Sequence, residues 1–159
     1  MSRAVLSIGS NLGDRLAQLQ STVDGLRSEL VAVSPVYRTA PWGGIEQDDF
    51  LNAVLIVAGE LDPKAWLYRA HELEQAADRT REVRWGPRTL DVDVIAVDGL
   101  TSADPELTLP HPRAHQRAFV LVPWHDIEPD AELPGYGPIR ELLRQVDLAD
   151  VTRTGLELT

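Results

Sequence analysis

The sequence has no cysteine, which excludes disulfides, thiolate metal ligands and a cysteine nucleophile. Lysine is almost missing as well: fourteen arginines stand against a single lysine, Lys64. With Lys64 in a helix start, there is no G-x-x-x-x-G-K-[ST] loop to cradle phosphates, and the protein-kinase signatures are lacking too. No apolar run approaches the length of a membrane-spanning helix. The first residues, MSRAVLSIGSN, hold one arginine and an apolar stretch too short for a signal peptide. Positive charge is scarce overall, and a net charge of −10 argues against a nucleic-acid-binding face. A soluble cytoplasmic protein with no nucleic-acid or membrane partner is expected.

What is present suffices for one compact domain over residues 1–159, since 43% of the residues are apolar. Residues 4–8, AVLSI, read as a buried strand, followed by the turn GSNLGDR and a helix from about Leu12 to Leu30. Residues 31–39 read as a strand with a proline bulge, and 50–58, FLNAVLIVA, as a second apolar strand. Asp62 and Pro63 supply an N-cap and first-turn proline for a helix to about Ala77. A strand over 90–97, a short strand near 107–109, the apolar FVLVPW, a short helix in PIRELLRQV and a tail with little pattern complete the chain. The order β-α-β-β-α-β predicts an α+β domain of the ferredoxin-like kind, an antiparallel sheet with two helices packed on one face.

Positive charge concentrates in one place. Residues 79–88, RTREVRWGPR, hold four arginines, Arg79, Arg81, Arg84 and Arg88, in a pattern that suits planar, bidentate recognition of a small polyanion. A solvated loop is the plainer reading of such a run. Directly after it, Asp91 and Asp93 fall two apart in the predicted strand, so they share a face at a backbone separation of roughly 6–7 Å. Like charges at that distance call for a cation between them. Hard divalent ions such as Mg2+ take carboxylate oxygens together with water and substrate phosphates. A bare D-x-D is more often simply solvated, but Leu90, Val92, Val94 and Ile95 leave little room for a wet strand.

The remaining signals are weaker. His71, His111, His115 and His125 lack zinc-like spacing apart from the H-x-x-x-H of His111 and His115. Ser10 lies in no nucleophile elbow. Asn52 sits inside an apolar strand, where its amide must find partners, either as a satisfied core amide or as a reader of a heterocycle. Phe119 is either core or a stacking wall.

Taken together, IGSNLGDR, YRTAPWG, DFLNAV, RWGPRTLDVDVI and LPHPRAHQRAFVLVPW resemble the 6-hydroxymethyl-7,8-dihydropterin pyrophosphokinases of folate biosynthesis, collinearly over about residues 4–124. The resemblance implies transfer of the β,γ-diphosphoryl group of ATP to the pterin's hydroxymethyl oxygen, with release of AMP. It implies two Mg2+ ions held by Asp91 and Asp93, with Asp91 also bordering the pterin. Arg79, Arg81, Arg84, Trp85 and Arg88 would form a phosphate-binding loop, Arg79 and Arg88 aiding the transfer step. His111 and Arg117 would contact the ATP phosphates, the Val94 main chain the adenine, and His71 and Glu74 the surroundings of the nucleotide. Gly9, Thr39, Ala40, Trp42, Phe50, Asn52 and Phe119 would form the pterin pocket. Phe50 stands where tyrosine is frequent in the family, His71 where glutamine is, and Pro112 follows His111 where tyrosine sometimes does. The resemblance further implies small-molecule partners and a monomer. Two other classes stay open on the residues alone: a non-catalytic ligand-binding domain, and a nucleotidyltransferase that joins AMP to its acceptor.

Overall fold

A computed structural model describes residues 1–40, 49–77 and 90–159. Its centre is an antiparallel sheet in which β1 (Ser2–Ser10) lies between β4 (Phe50–Gly59) and β5 (Asp91–Val97). The far side of β4 pairs with both β2 (Leu30–Val33) and β3 (Tyr37–Thr39). Pro35 interrupts what the sequence suggests is one strand, and Ser34 bridges the break. Its backbone N–H donates to Val54 O, and its hydroxyl accepts from Val54 N, both at 2.9 Å. A C-terminal strand, Val151–Arg153, pairs with β3 and covers that edge.

One face of the sheet carries α1 (Arg15–Gly25) and α2 (Pro63–Ala77), whose Leu19, Val23, Trp66 and Ala70 pack on Leu6, Ile8, Leu55 and Val94. Helix α1 is shorter than its sequence pattern suggests. Asp14 caps it by accepting from Ala17 N at 3.1 Å, and it ends at Gly25, ahead of the polar Arg27, Ser28 and Glu29. Asp62 caps the start of α2 in the same way, accepting from Ala65 N at 2.8 Å.

The two expected helices share one face, and the second face is covered as well. FVLVPW lies in a third helix, α3 (Ala118–Ile127), which packs Val120, Leu121 and Trp124 on Val5, Val54, Ile56 and Ile95 of the second face. A short helix α4 (Ile139–Leu142) adds Ile139 and Leu142 to this layer. Burial on both sides is why β1 and β4 read as nearly unbroken apolar runs. The tail that shows little pattern is ordered too, through Val151–Arg153, and ahead of α4 a small hairpin pairs Glu132–Leu133 with Gly137–Pro138.

Strand β5 contains a bulge. Val5 pairs with Ala96 but Leu6 with Val94, so Ile95 is an inserted residue. Before it, Val92 and Val94 point to the α1/α2 core; after it, Ile95 and Ala96 both join the α3 layer. By the two-residue period, Asp91 and Asp93 therefore open onto the α3 face, just past the ground that α3 covers.

Candidate active site

Three strands bring chemistry into one row on that face. Gly9 of β1 is paired with Asp91 on one side and with Asn52 on the other. With strands spaced about 4.8 Å apart, the carboxylate and the amide spring from backbones roughly 10 Å apart, with no side chain between them. The Asn52 amide leans over that glycine: a Cβ built on Gly9 would lie 2.7 Å from Asn52 Nδ2 and 3.6 Å from the Phe50 ring. Thr39 of β3, paired with Phe50, donates its hydroxyl to Asn52 Oδ1. Thr39 and Asn52 are both buried, and Phe50 is half-buried beside them. The result is a notch with a glycine floor, an aromatic border, an amide at one end and a carboxylate at the other.

The neighbouring row pairs Asp93 with Ser7. Over it stands Arg117, the residue that leads into α3. Its guanidinium lies 3.9 Å from the Asp93 carboxylate and 5.4 Å from the centre of the Phe119 ring, so one cation joins the acidic strand to the aromatic wall. The backbone N–H of His111 donates to Ile95 O at 2.8 Å, which anchors this segment at the bulge. Burial depresses the His111 imidazole below its ordinary value, Asp93 partly opposes this, and Arg117 and Arg113 reinforce it. This disfavours the imidazolium, and the ring Nδ1 accepts from Arg113 N at 3.2 Å.

Beyond Asp93, at the outer edge of β5, opens a cavity of about 240 Å3 lined by His71, Glu74, Val94 and His111 among others. Glu74 accepts from Val92 N at 3.0 Å, so this backbone edge faces α2. Two residues on, Val94 presents its own N–H and C=O to the same edge. Leu67, Glu106 and Thr108 also line the cavity. Nothing in the sequence marks them.

Of the residues singled out in the sequence, Gly9, Thr39, Phe50, Asn52 and Asp91 meet at the notch. Asp93, Arg117 and Phe119 join at its border, and His71, Glu74, Val94 and His111 surround the cavity. Ala40 is exposed at the end of β3. Trp42, Arg79, Arg81, Arg84, Trp85 and Arg88 lie outside the described residues. His115 takes no place here: its ring stacks on Tyr136 at 4.2 Å.

Among the described residues, no group of three or more His, Asp or Glu side chains is placed to hold a metal ion. Mg2+ needs only one or two carboxylates when water and phosphate oxygens complete its octahedron. Asp91 and Asp93 are the hard oxygen donors that fit. No helix among the described residues is long and apolar enough to cross a membrane.

The family model described as 7,8-dihydro-6-hydroxymethylpterin-pyrophosphokinase (HPPK) matches residues 5–129. The chain is 56% identical to the 2-amino-4-hydroxy-6-hydroxymethyldihydropteridine pyrophosphokinase of Mycobacterium leprae, over 100% of this chain and 90% of that one. It is 52% identical to the protein of the same name from Mycobacterium tuberculosis, over 94% and 87% of the two chains. Among solved structures, the wild-type HPPK-DHPS of Plasmodium falciparum superposes with a TM-score of 0.71 at 13% identity, a likeness of fold. The match takes in 91% of this chain but 44% of that one, so the chain spans less than half of the two-part protein.

Proposed function

The chain belongs to the 7,8-dihydro-6-hydroxymethylpterin-pyrophosphokinase family, and from that premise we propose that it moves the β,γ-diphosphoryl group of ATP to the hydroxymethyl oxygen of 6-hydroxymethyl-7,8-dihydropterin. The class of the activity follows from the family: an ATP-dependent pyrophosphokinase, a transferase of folate biosynthesis. The finer chemistry rests on one observation, the row Asp91–Gly9–Asn52 set against a cavity that ends at Asp93 and His111. A flat heterocycle on the glycine floor would meet the Asn52 amide at one edge. Its hydroxymethyl arm would reach toward the aspartates, where a nucleotide in the cavity would bring its phosphates.

In the step itself the acceptor O–H bond breaks and an O–Pβ bond forms. The Pα–O–Pβ bridge also breaks, its electron pair leaves on the α-phosphate oxygen of AMP, and the hydroxyl proton passes to solvent. Little covalent work falls to the protein, so positioning and charge neutralisation carry the rate. Asp91 and Asp93 would hold Mg2+, two ions on this reading, which supplies charge neutralisation to the polyphosphate. Arg117, already near Asp93, adds a fixed cation on the phosphate side. His111, its Nδ1 taken up by Arg113 N, offers Nε2 for a hydrogen bond there. Arg79, Arg81, Arg84, Trp85 and Arg88 are assigned to clamping the phosphates, with Arg79 and Arg88 acting on the transferred group. The protein works in this reading as a cytoplasmic monomer on small-molecule substrates.

Mass analysis of a reaction containing ATP, Mg2+ and the hydroxymethyl dihydropterin tests the proposal. AMP and a pterin diphosphate are the expected products. ADP with a pterin monophosphate, a pterin joined to AMP, or no turnover by folded protein would each overturn it.

A further inference from the structure

The cavity beyond Asp93 has two unlike ends. At one end stand His111 and, just outside, Arg117. Three carboxylates line it, Glu74, Asp93 and Glu106: Glu74 accepts from Val92 N and Asp93 faces Arg117, whereas Glu106 stands at the other end, beside Lys64 and Tyr68. Glu106 is held from two sides. The Tyr68 hydroxyl donates to its Oε1 at 2.7 Å, and Lys64 Nζ lies 3.5 Å from its Oε2. The turn that bears it is fixed as well: Asp104 accepts from Glu106 N at 2.9 Å and pairs with Lys64 at 3.1 Å. A carboxylate so placed repels phosphate and accepts hydrogen bonds only. With the Arg117 guanidinium at the other end, a nucleotide in the cavity is oriented with its phosphates toward His111 and a donor-bearing part toward Glu106.

We propose that Glu106 is a specificity-determining residue that accepts hydrogen bonds from the ribose hydroxyls of the nucleotide, an inference that rests on the pyrophosphokinase reading above. The triphosphate has no donors to offer. The purine has one amine, and it belongs against apolar Leu67, Val94 and Leu107 at the outer edge of β5, where the Val94 carbonyl is available. The sugar carries two adjacent hydroxyls and tolerates solvent, and Glu106 is 46% exposed at the rim.

Calorimetric titration of the full chain with ATP, 2′-deoxy-ATP and 3′-deoxy-ATP, each with Mg2+, tests the assignment. The wild type is expected to bind at least one deoxynucleotide about tenfold more weakly than ATP, the size of one hydrogen bond to a charged acceptor in a half-exposed site. Glu106→Ala should bring the two affinities to within about twofold of each other, and Glu106→Gln, which keeps an acceptor oxygen, should restore part of the preference. Equal binding of all three nucleotides by the wild type overturns the proposal. So does a Glu106→Ala protein that melts earlier yet keeps the wild-type ratio, because Glu106 would then serve only to tie its turn to α2. The titration reads binding alone, so a wild type that discriminates between sugars but releases no AMP would refute the reaction and leave the sugar contact standing.

Discussion

Thr39 on β3 donates its hydroxyl to the side-chain oxygen of Asn52 on β4, and both residues are buried. With Oδ1 so engaged, the Asn52 amide is fixed with its Nδ2 over Gly9, facing the notch. The pair predicts a division of labour between a residue that touches the heterocycle and one that aims it. Asn52→Ala should weaken pterin binding roughly tenfold to a hundredfold, the range for losing a buried hydrogen-bond partner, while ATP binding stays near normal. Thr39→Val should weaken pterin binding less, and Thr39→Ser should recover it. Fluorescence titration with the pterin reads all three; unchanged affinity in Asn52→Ala would return the amide to a purely structural role.

Gly9 matters for the space it leaves. A methyl group there would stand 2.7 Å from Asn52 Nδ2, closer than real contacts allow. Gly9→Ala should displace the amide and fill the floor, raising KM for the pterin about tenfold or more with little change in KM for ATP. Equal effects on both substrates would show that the notch is not where the pterin lies.

Asp93 is 43% exposed and sits at the junction of notch and cavity. Asp93→Asn keeps the shape and removes the charge. Turnover should fall by roughly a hundredfold or more, the scale of lost charge stabilisation in phosphoryl transfer, while the thermal midpoint moves little. Raising Mg2+ should recover part of the rate. A variant with near-normal turnover at limiting Mg2+ would contradict the assignment of this carboxylate to the metal.

Tyr37 provides a pH test away from the chemistry. Burial, and then its hydrogen bond to Asp126, push the phenol from 10.0 up to about 12. Below pH 10 the group is protonated in both folded and unfolded chains, and its contribution is fully present. Between about pH 10 and 12 unfolding releases a proton, so stability falls as pH rises through this window. Urea midpoints measured from pH 9 to 11.5 should drop more steeply for the wild type than for Tyr37→Phe. Parallel slopes would refute the shift.

Much of this architecture was legible in the residues, for physical reasons that differ from place to place. Strands β1, β4 and β5 announced themselves through apolar runs bounded by turn residues, and Asp62 with Pro63 marked the start of α2. The α3 layer did not, because a short, wholly apolar segment such as FVLVPW has no periodicity that separates helix from strand. Pro123 inside α3 obscured it further. The bulge at Ile95 left no sequence trace, yet it decides which residues follow the aspartates onto their face. Asn52 was marked by its polarity in an apolar strand. Its bond to Thr39 depends on the register of β3 with β4, which no local pattern encodes. Glu106 was hidden for the same reason: its importance comes from α2 and the 104–108 turn meeting across a cavity.

The central claim is that the pterin lies on Gly9 between Asp91 and Asn52, with metal between its hydroxymethyl arm and the nucleotide. A crystal structure of the protein with a non-hydrolysable ATP analogue, the hydroxymethyl pterin and Mn2+ in place of Mg2+ measures this directly. Anomalous difference density for Mn2+ at Asp91 and Asp93, with the ring over Gly9 and bonded to Asn52, is the predicted result. A ring bound elsewhere, or metal density away from both aspartates, would contradict the account.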